Sequence, residues 1–246
     1  NTILNVYLAV FLAIGVGGTA LIARSLGAGQ KEKARQFARQ TQELSIAGGI
    51  VFGFISIFFG RWMLQAMGAS GSALEDAQVF FYWVGGFSLL HASMTSLGTI
   101  LRATGDTVTP MKVGIITNVT NVLLDYFLIF GFGSWDGLGI LGTALGTIFA
   151  RLLGCYLLTR EVQKSELALS FQKSRHRKDY QELVHVTIPA ALERLVMRLG
   201  QVIYFSLIVA LGTTVYASHM IAGNIESFTY MPAYGLATAA AVLIGQ

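Results

Sequence analysis

The chain is short of cysteine, proline and charge, and each shortage removes a class of protein. A single cysteine, Cys155, stands among 246 residues, so neither a disulfide framework nor a cysteine-based metal site is available. Three prolines against 28 glycines exclude a collagen-like or proline-rich flexible chain. Glycine without proline suits helices that approach each other closely inside a membrane. Charged residues make up 12% and hydrophobic residues 54%, with a mean hydropathy of +0.61, whereas a soluble domain carries about 25% charge. That balance points to a membrane protein whose surroundings are the lipid bilayer. A net charge of +4 would suggest an acidic partner for a soluble domain. Here the basic residues cluster between apolar runs, which is how a membrane chain records its orientation, and nucleic acid is not expected as a partner.

Seven stretches approach the roughly 20 apolar residues that cross a bilayer core: Ile3–Ile22, Leu44–Leu64, Val79–Leu101, Met111–Phe132, Leu138–Leu158, Leu183–Leu211 and Val215–Ile244. All seven are expected to be helices, because a spanning segment must satisfy its own backbone and these runs are too long for the strands of a membrane barrel. Thr109-Pro110 predicts an N-cap followed by proline at the first helical position. The first segment is too long for a cleaved signal peptide. The chain opens at Asn1 without a methionine and stops at Gln246 directly after an apolar run, so it reads as a piece of a longer protein.

Alternate loops lie on opposite sides of a membrane. Setting aside three arginines inside the apolar runs, thirteen basic residues fall on one side and only Arg61 on the other. The positive-inside rule then makes residues 24–43, 102–112 and 160–182 cytoplasmic in a multi-pass protein of the plasma membrane. The longest connection, 160–182, is polar and divides five segments from two. Ala20–Arg24 aligns with Val242–Gln246 at the ends of two small-residue stretches, a weak sign of parallel repeats of six helices each.

An ionised side chain near the bilayer centre costs roughly 2.5–3.5 kcal/mol, so intramembrane acids are functional candidates. Asp125, Glu193 and Glu226 qualify. Asn118, Asn121 and Asp125 share i, i+3, i+7 spacing on one helix face, which is expected to look into the protein. Thr143, on the next segment, falls at a depth similar to Asp125. A carboxylate, an amide oxygen and a hydroxyl at one depth suit Na⁺, or a carboxyl that takes up a proton; the competing reading is hydrogen-bonding glue between helices. In the sixth segment Arg194, Arg198 and Gln201 share a face. Arg198 and Glu226 both lie near the middle of their segments and are expected to pair, either as cavity charges or as a structural ion pair. Arg151, His91 and His219 read as packing residues. Gly49 with Gly53, and Gly142 with Gly146, read as helix-packing sites. No acid pair, histidine cluster or nucleophile and base at matched depth suggests an enzyme.

Several stretches in order now resemble one family, the multidrug and toxic compound extrusion (MATE) transporters: Gly17–Gly29, Leu101–Met111, Asn121–Gly131, Leu138–Ala144, Ile188–Ala190, Asn224–Glu226 and Met231–Gly235. The resemblance implies an all-α polytopic membrane protein of twelve helices in two lobes, of which this chain corresponds to helices two to eight. Residues 1–160 would form the amino-terminal lobe without its first helix, 161–182 a cytoplasmic inter-lobe loop, and 183–246 the start of the second lobe. It implies a secondary active antiporter that exports organic cations or amphipathic drugs in exchange for H⁺ or Na⁺. It assigns Asn121, Asp125 and Thr143 to a cation-coupling site, with Asn118 alongside, and no other metal or cofactor. A second-lobe acid found eight residues after the helix-seven proline in one branch of the family is here Met197, while Glu193 comes only four after Pro189, so that branch's Na⁺ site is not transferred. The rival reading is a lipid-linked oligosaccharide flippase of the same superfamily, whose basic cavity Arg151, Arg194 and Arg198 would suit.

Overall fold

The computed structural model describes residues 2–67, 70–131, 136–168, 180–210 and 212–245. Among them lie eight helices: α1 Thr2–Gly27, α2 Lys31–Ala66, α3 Gly71–Gly86, α4 Ser88–Ala103, α5 Val108–Phe130, α6 Ile140–Lys164, α7 Tyr180–Ala210 and α8 Thr213–Gly245. Long apolar side chains point outward, Val119, Val122 and Phe130 on α5 and Ile221, Phe228 and Leu236 on α8 among them. Outward apolar faces of this extent belong in lipid.

The expected count of seven spans is not reproduced. Five helices (α1, α2, α5, α6 and α8) are long and apolar enough to cross a membrane, and α3 with α4 makes a sixth span bent by 47°. α7 falls outside the set because Glu193, Arg194 and Arg198 crowd into one stretch of its apolar run. The bend replaces the single helix expected over Val79–Leu101. It sits at Phe87, whose φ of −91° and ψ of 25° leave the helical region, directly after Gly85 and Gly86. α2 packs into the bend: a Cβ on Gly53 would stand 2.6 Å from the Gly86 carbonyl oxygen, and Ser88 Oγ donates to the Gly49 carbonyl at 2.8 Å.

Two further boundaries differ from expectation. The polar stretch before Leu44 is not a loop, because α2 begins at Lys31 and its buried Ala34, Phe37, Ala38 and Thr41 recur at helical spacing beneath the charges. α5 begins at Val108 with Thr107 at its N-cap, so Thr109 and Pro110 lie one and two residues inside the helix and not at its cap and first position; the Thr109 N–H is accepted by Asp106 Oδ1 at 2.9 Å. Burial alone would raise the Asp106 carboxyl, but hydrogen bonds from Thr109 and Val108 and the charge of Lys112 outweigh it and hold the group below the usual aspartate range.

The basic end of the bundle is the better packed. Leu21, Ile22, Phe37, Ile100, Leu158, Leu167 and Leu183 belong to one buried cluster that joins α1, α2, α4, α6 and the start of α7. α7 runs antiparallel to α1, and a Cβ on Gly17 would stand 2.6 Å from Thr187 Oγ1, so glycine sets how closely these two helices approach. Polar contacts rim the same seam. Lys33 Nζ lies 3.6 Å from Glu182 and Lys31 Nζ 2.7 Å from Glu166; Arg35 Nε donates to the Glu166 carbonyl at 2.9 Å; and the Tyr180 hydroxyl donates to the Glu43 carboxylate. A hydrogen bond from Lys31 and its charge hold the Glu166 carboxyl below the usual glutamate range.

These ion pairs are exposed and screened by water, so they contribute little; the fully buried Leu183 contributes more. Leu183→Ala should cost about 2–5 kcal/mol and lower the thermal midpoint of the detergent-solubilised protein, whereas Glu166→Gln should leave it nearly unchanged. Equal midpoints for the two variants would show that charge, not apolar burial, holds α7 in place. Because the Glu166 carboxyl is lowered, its link to Lys31 is present at neutral pH and is lost only as pH falls through that lowered value; cross-linking between positions 31 and 166 across a pH series would follow it.

Candidate functional site

α5 and α6 form a tight antiparallel pair because α6 presents small residues at every fourth position. Gly142, Gly146, Ala150 and Gly154 are all buried. A Cβ on Gly142 would overlap the Leu128 carbonyl, and one on Gly154 would stand 2.8 Å from Thr117 Oγ1. Gly146 faces Asp125: a Cβ there would overlap Oδ1 of that carboxylate. The packing role expected for Gly142 and Gly146 is therefore the observed one, and at Gly146 the same missing side chain makes room for an acid inside a helix contact.

Asp125 and Asn121 are both half-buried, and Asn121 Nδ2 donates to Asp125 Oδ1 at 3.1 Å. Among the described residues no cation pairs with Asp125, and its second carboxylate oxygen accepts no hydrogen bond. An acid so placed is free to take up a proton or a cation from water. Thr143 is also half-buried and stands three residues before Gly146 on α6, but among the described residues no hydrogen bond joins it to Asp125; its carbonyl accepts the Thr147 hydroxyl at 2.9 Å. Asn118 is exposed. It is thus not turned into the packed interior with Asn121 and Asp125, because the contact face of α5 runs through the buried Val113 and Thr117 and Asn118 stands about 100° round the helix from Thr117.

The second expected grouping forms differently. Glu193 and Glu226 are exposed, and Arg194 and Arg198 half-buried. The expected Arg198–Glu226 pair is absent among the described residues: Arg198 Nη1 donates instead to Gln201 Oε1, one turn along α7, at 2.8 Å. α7 packs chiefly along α1 and touches α8 less, so the two midpoints do not meet. A cavity of about 130 Å³ opens between α1, α7 and α8, lined by Leu8, Ala9, Leu12, Arg194, Met197, Arg198, Gln201 and Tyr234. Sequence reasoning missed Tyr234 and the α1 residues there, since nothing local ties them to α7; the shared face of Arg194, Arg198 and Gln201 was the one available signal.

The remaining polar groups pack. The His91 ring lies 6.1 Å from that of Phe11, and His219 stands against Tyr204 and Phe205 at 5.4 and 5.7 Å. The Arg151 guanidinium is close enough to His91 and Cys155 to act on both electrostatically, and Cys155 Sγ donates to the Leu90 carbonyl at 3.1 Å.

Over 251 residues the chain is 30% identical to the probable multidrug resistance protein NorM of Thermotoga maritima, covering 100% of this chain and 53% of that one. It is 26% identical to the FAD transporter of Shewanella oneidensis, covering 96% of this chain and 52% of the relative. Among solved structures, the MOP superfamily transporter from Pyrococcus furiosus, described as having a binding pocket of reverse polarity, superposes with a TM-score of 0.87 over 98% of this chain and 54% of its own, at 23% identity. That last likeness shows the fold. The chain spans about half the length of the curated relatives it matches, and so corresponds to half of a larger two-lobe architecture. The MatE family model matches residues 1–127 and 189–246, three-quarters of the sequence, and the chain belongs to that family of multidrug and toxic compound extrusion transporters.

Proposed function

We propose that the full-length protein is a secondary active antiporter that exports amphipathic organic compounds, organic cations among them, in exchange for H⁺ or Na⁺. The observation that carries this reading is Asp125: a half-buried carboxylate in a spanning helix, bonded to Asn121 and without a cationic partner among the described residues. Such an acid is costly in a bilayer unless it is used. Asp125 with Asn121, and with Thr143 on the facing helix, forms the coupling site; Asn118 shares their helix but is exposed. Residues 1–160 form the first lobe, 161–182 the inter-lobe loop and 183–246 the start of the second. The basic end faces the cytoplasm, as the distribution of lysine and arginine indicates. Cation and substrate favour opposite-facing states, so the downhill ion drives the compound out. The protein transports and does not catalyse.

One observation favours a second reading, the lipid-linked oligosaccharide flippase. Arg194 and Arg198 line a cavity to which the described residues contribute no acid, and an anionic pyrophosphate-linked lipid would suit it. The relative named as an FAD transporter carries a substrate with the same pyrophosphate chemistry.

In proteoliposomes bearing the full-length protein, a fluorescent organic cation should leave in response to an imposed pH or Na⁺ gradient, and Asp125→Asn should abolish that response while preserving the fold. Gradient-driven efflux at the wild-type rate by Asp125→Asn would remove Asp125 from the coupling role. Gly146→Ala should act through geometry: its methyl group takes the space of Asp125 Oδ1, so coupled transport should fall about tenfold or more, the order expected for a misplaced reacting group. Unchanged transport by Gly146→Ala would show that the carboxylate does not work from the position next to α6.

A further inference from the structure

We propose that the cavity between α1, α7 and α8 is a subsite for an anionic group, a carboxylate or a phosphate, carried by the transported amphiphile; this rests on the transporter reading above and names the substrate class of the same pathway. Among the described residues the subsite is lined by two cations and no anion. Arg194 makes no ion pair or hydrogen bond among the described residues, and Arg198 bonds only the neutral Gln201 at 2.8 Å. Glu193, the adjoining residue on α7, and Glu226 on α8 are both exposed and do not line the cavity.

Arg198 lies twelve residues before the end of α7 at Ala210, about 18 Å along the helix at 1.5 Å per residue, so these charges stand mid-helix and not at a terminus. Among the described residues neither arginine meets an acid, and the anionic group of a transported compound is a partner that this lining would accept. The donors converge on one chemistry. Guanidinium groups present planar paired N–H donors that match carboxylate and phosphate. The Gln201 amide keeps its N–H groups free while its oxygen is held by Arg198, and the Tyr234 hydroxyl adds a donor. Leu8, Leu12 and Met197 supply an apolar wall for the body of the ligand. A volume of about 130 Å³ holds one such group and not a whole drug, so the rest of the molecule extends through the open side. An isolated organic cation meets two like charges here and gains nothing; a zwitterion or an anionic amphiphile does.

The test measures binding without any gradient, on the full-length protein in vesicles. Its probes are an amphiphilic dye carrying a carboxylate, the methyl ester of that dye, and a quaternary ammonium dye of similar size. The double variant Arg194→Gln, Arg198→Gln should weaken the carboxylate dye about 10- to 100-fold, the loss expected for charge-assisted hydrogen bonds, and leave the ester and the ammonium dye within about twofold. If the double variant fails to fold, Arg198→Lys serves: it keeps the charge but loses the paired donors, and should weaken the carboxylate dye alone. Vesicles of phosphatidylglycerol and of phosphatidylcholine separate the two sources of anion. Weaker dye binding in phosphatidylglycerol shows a lipid head group competing for the subsite, and equal binding in both assigns it to the free ligand; either supports an anion site. Equal losses for all three probes, or no loss for the carboxylate dye, overturns it. Because binding is read without a gradient, failure of the antiporter reading would not be mistaken for failure of this one.

Discussion

The arrangement of this bundle depends on how closely its helices can approach. Inside hydrocarbon no water is released when apolar surfaces meet, so helix association relies on dispersion and hydrogen bonds that act only at short range. Glycine provides that range. Gly49 and Gly53 let α2 reach the backbone where α3 bends into α4, Gly142, Gly146 and Gly154 let α6 lie against α5, and Gly17 brings α1 against Thr187 of α7. Each candidate functional group is positioned by one of these contacts. Asp125 meets α6 because Gly146 leaves it room, and Arg194 and Arg198 come to face Leu8 and Leu12 because α7 is held along α1.

Charge divides into two populations with different energetics. At the basic end lysines, arginines and glutamates pair in the open, as with Lys31 and Glu166, whose side chains remain 60% and 66% exposed; water already solvates them, and they rim a seam that apolar burial holds. Asp125 on the spanning α5, and Arg194 and Arg198 on α7, have no charged partner among the described residues. A charged group held away from water is costly unless a partner or ligand meets it, which is why ion coupling is proposed at the first place and anion recognition at the second.

The two sites differ in how they are built. Asn121 and Asp125 lie one turn apart on a single helix, and the neighbouring helix contributes space in the form of a glycine. The cavity at Arg194 draws on three helices far apart in sequence. A site of the first kind survives small rotations between helices, while one of the second kind changes whenever α7 moves against α1. The proposed alternating access would therefore leave the cation site largely intact and remodel the anion subsite, which is the differential interaction that coupling between two ligands requires.

Most of the architecture was legible because the bilayer imposes a length and a polarity that appear directly in composition. The apolar runs locate the spanning material, the glycine pairs mark helix contacts, and the spacing of Asn121 and Asp125 puts them on one helix face, where they are hydrogen-bonded. Legibility ended where a result depended on a partner helix. Ala34, Phe37 and Ala38 carry a helical period beneath dense charge, which a search for long apolar runs passes over. The bend at Phe87 arises from α2 packing on Gly85 and Gly86, not from any proline. The pairing of Arg198 with Gln201 instead of Glu226, and the exposure of Asn118, follow from which faces of α5, α7 and α8 find neighbours. By itself the amino-acid sequence determined that this is a helical membrane protein and where its long apolar runs lie, since both follow from local composition, and its ordered motifs carried the family resemblance. Only the tertiary structure decided which polar groups meet, because the distance between two helices is set by side chains absent or present on both.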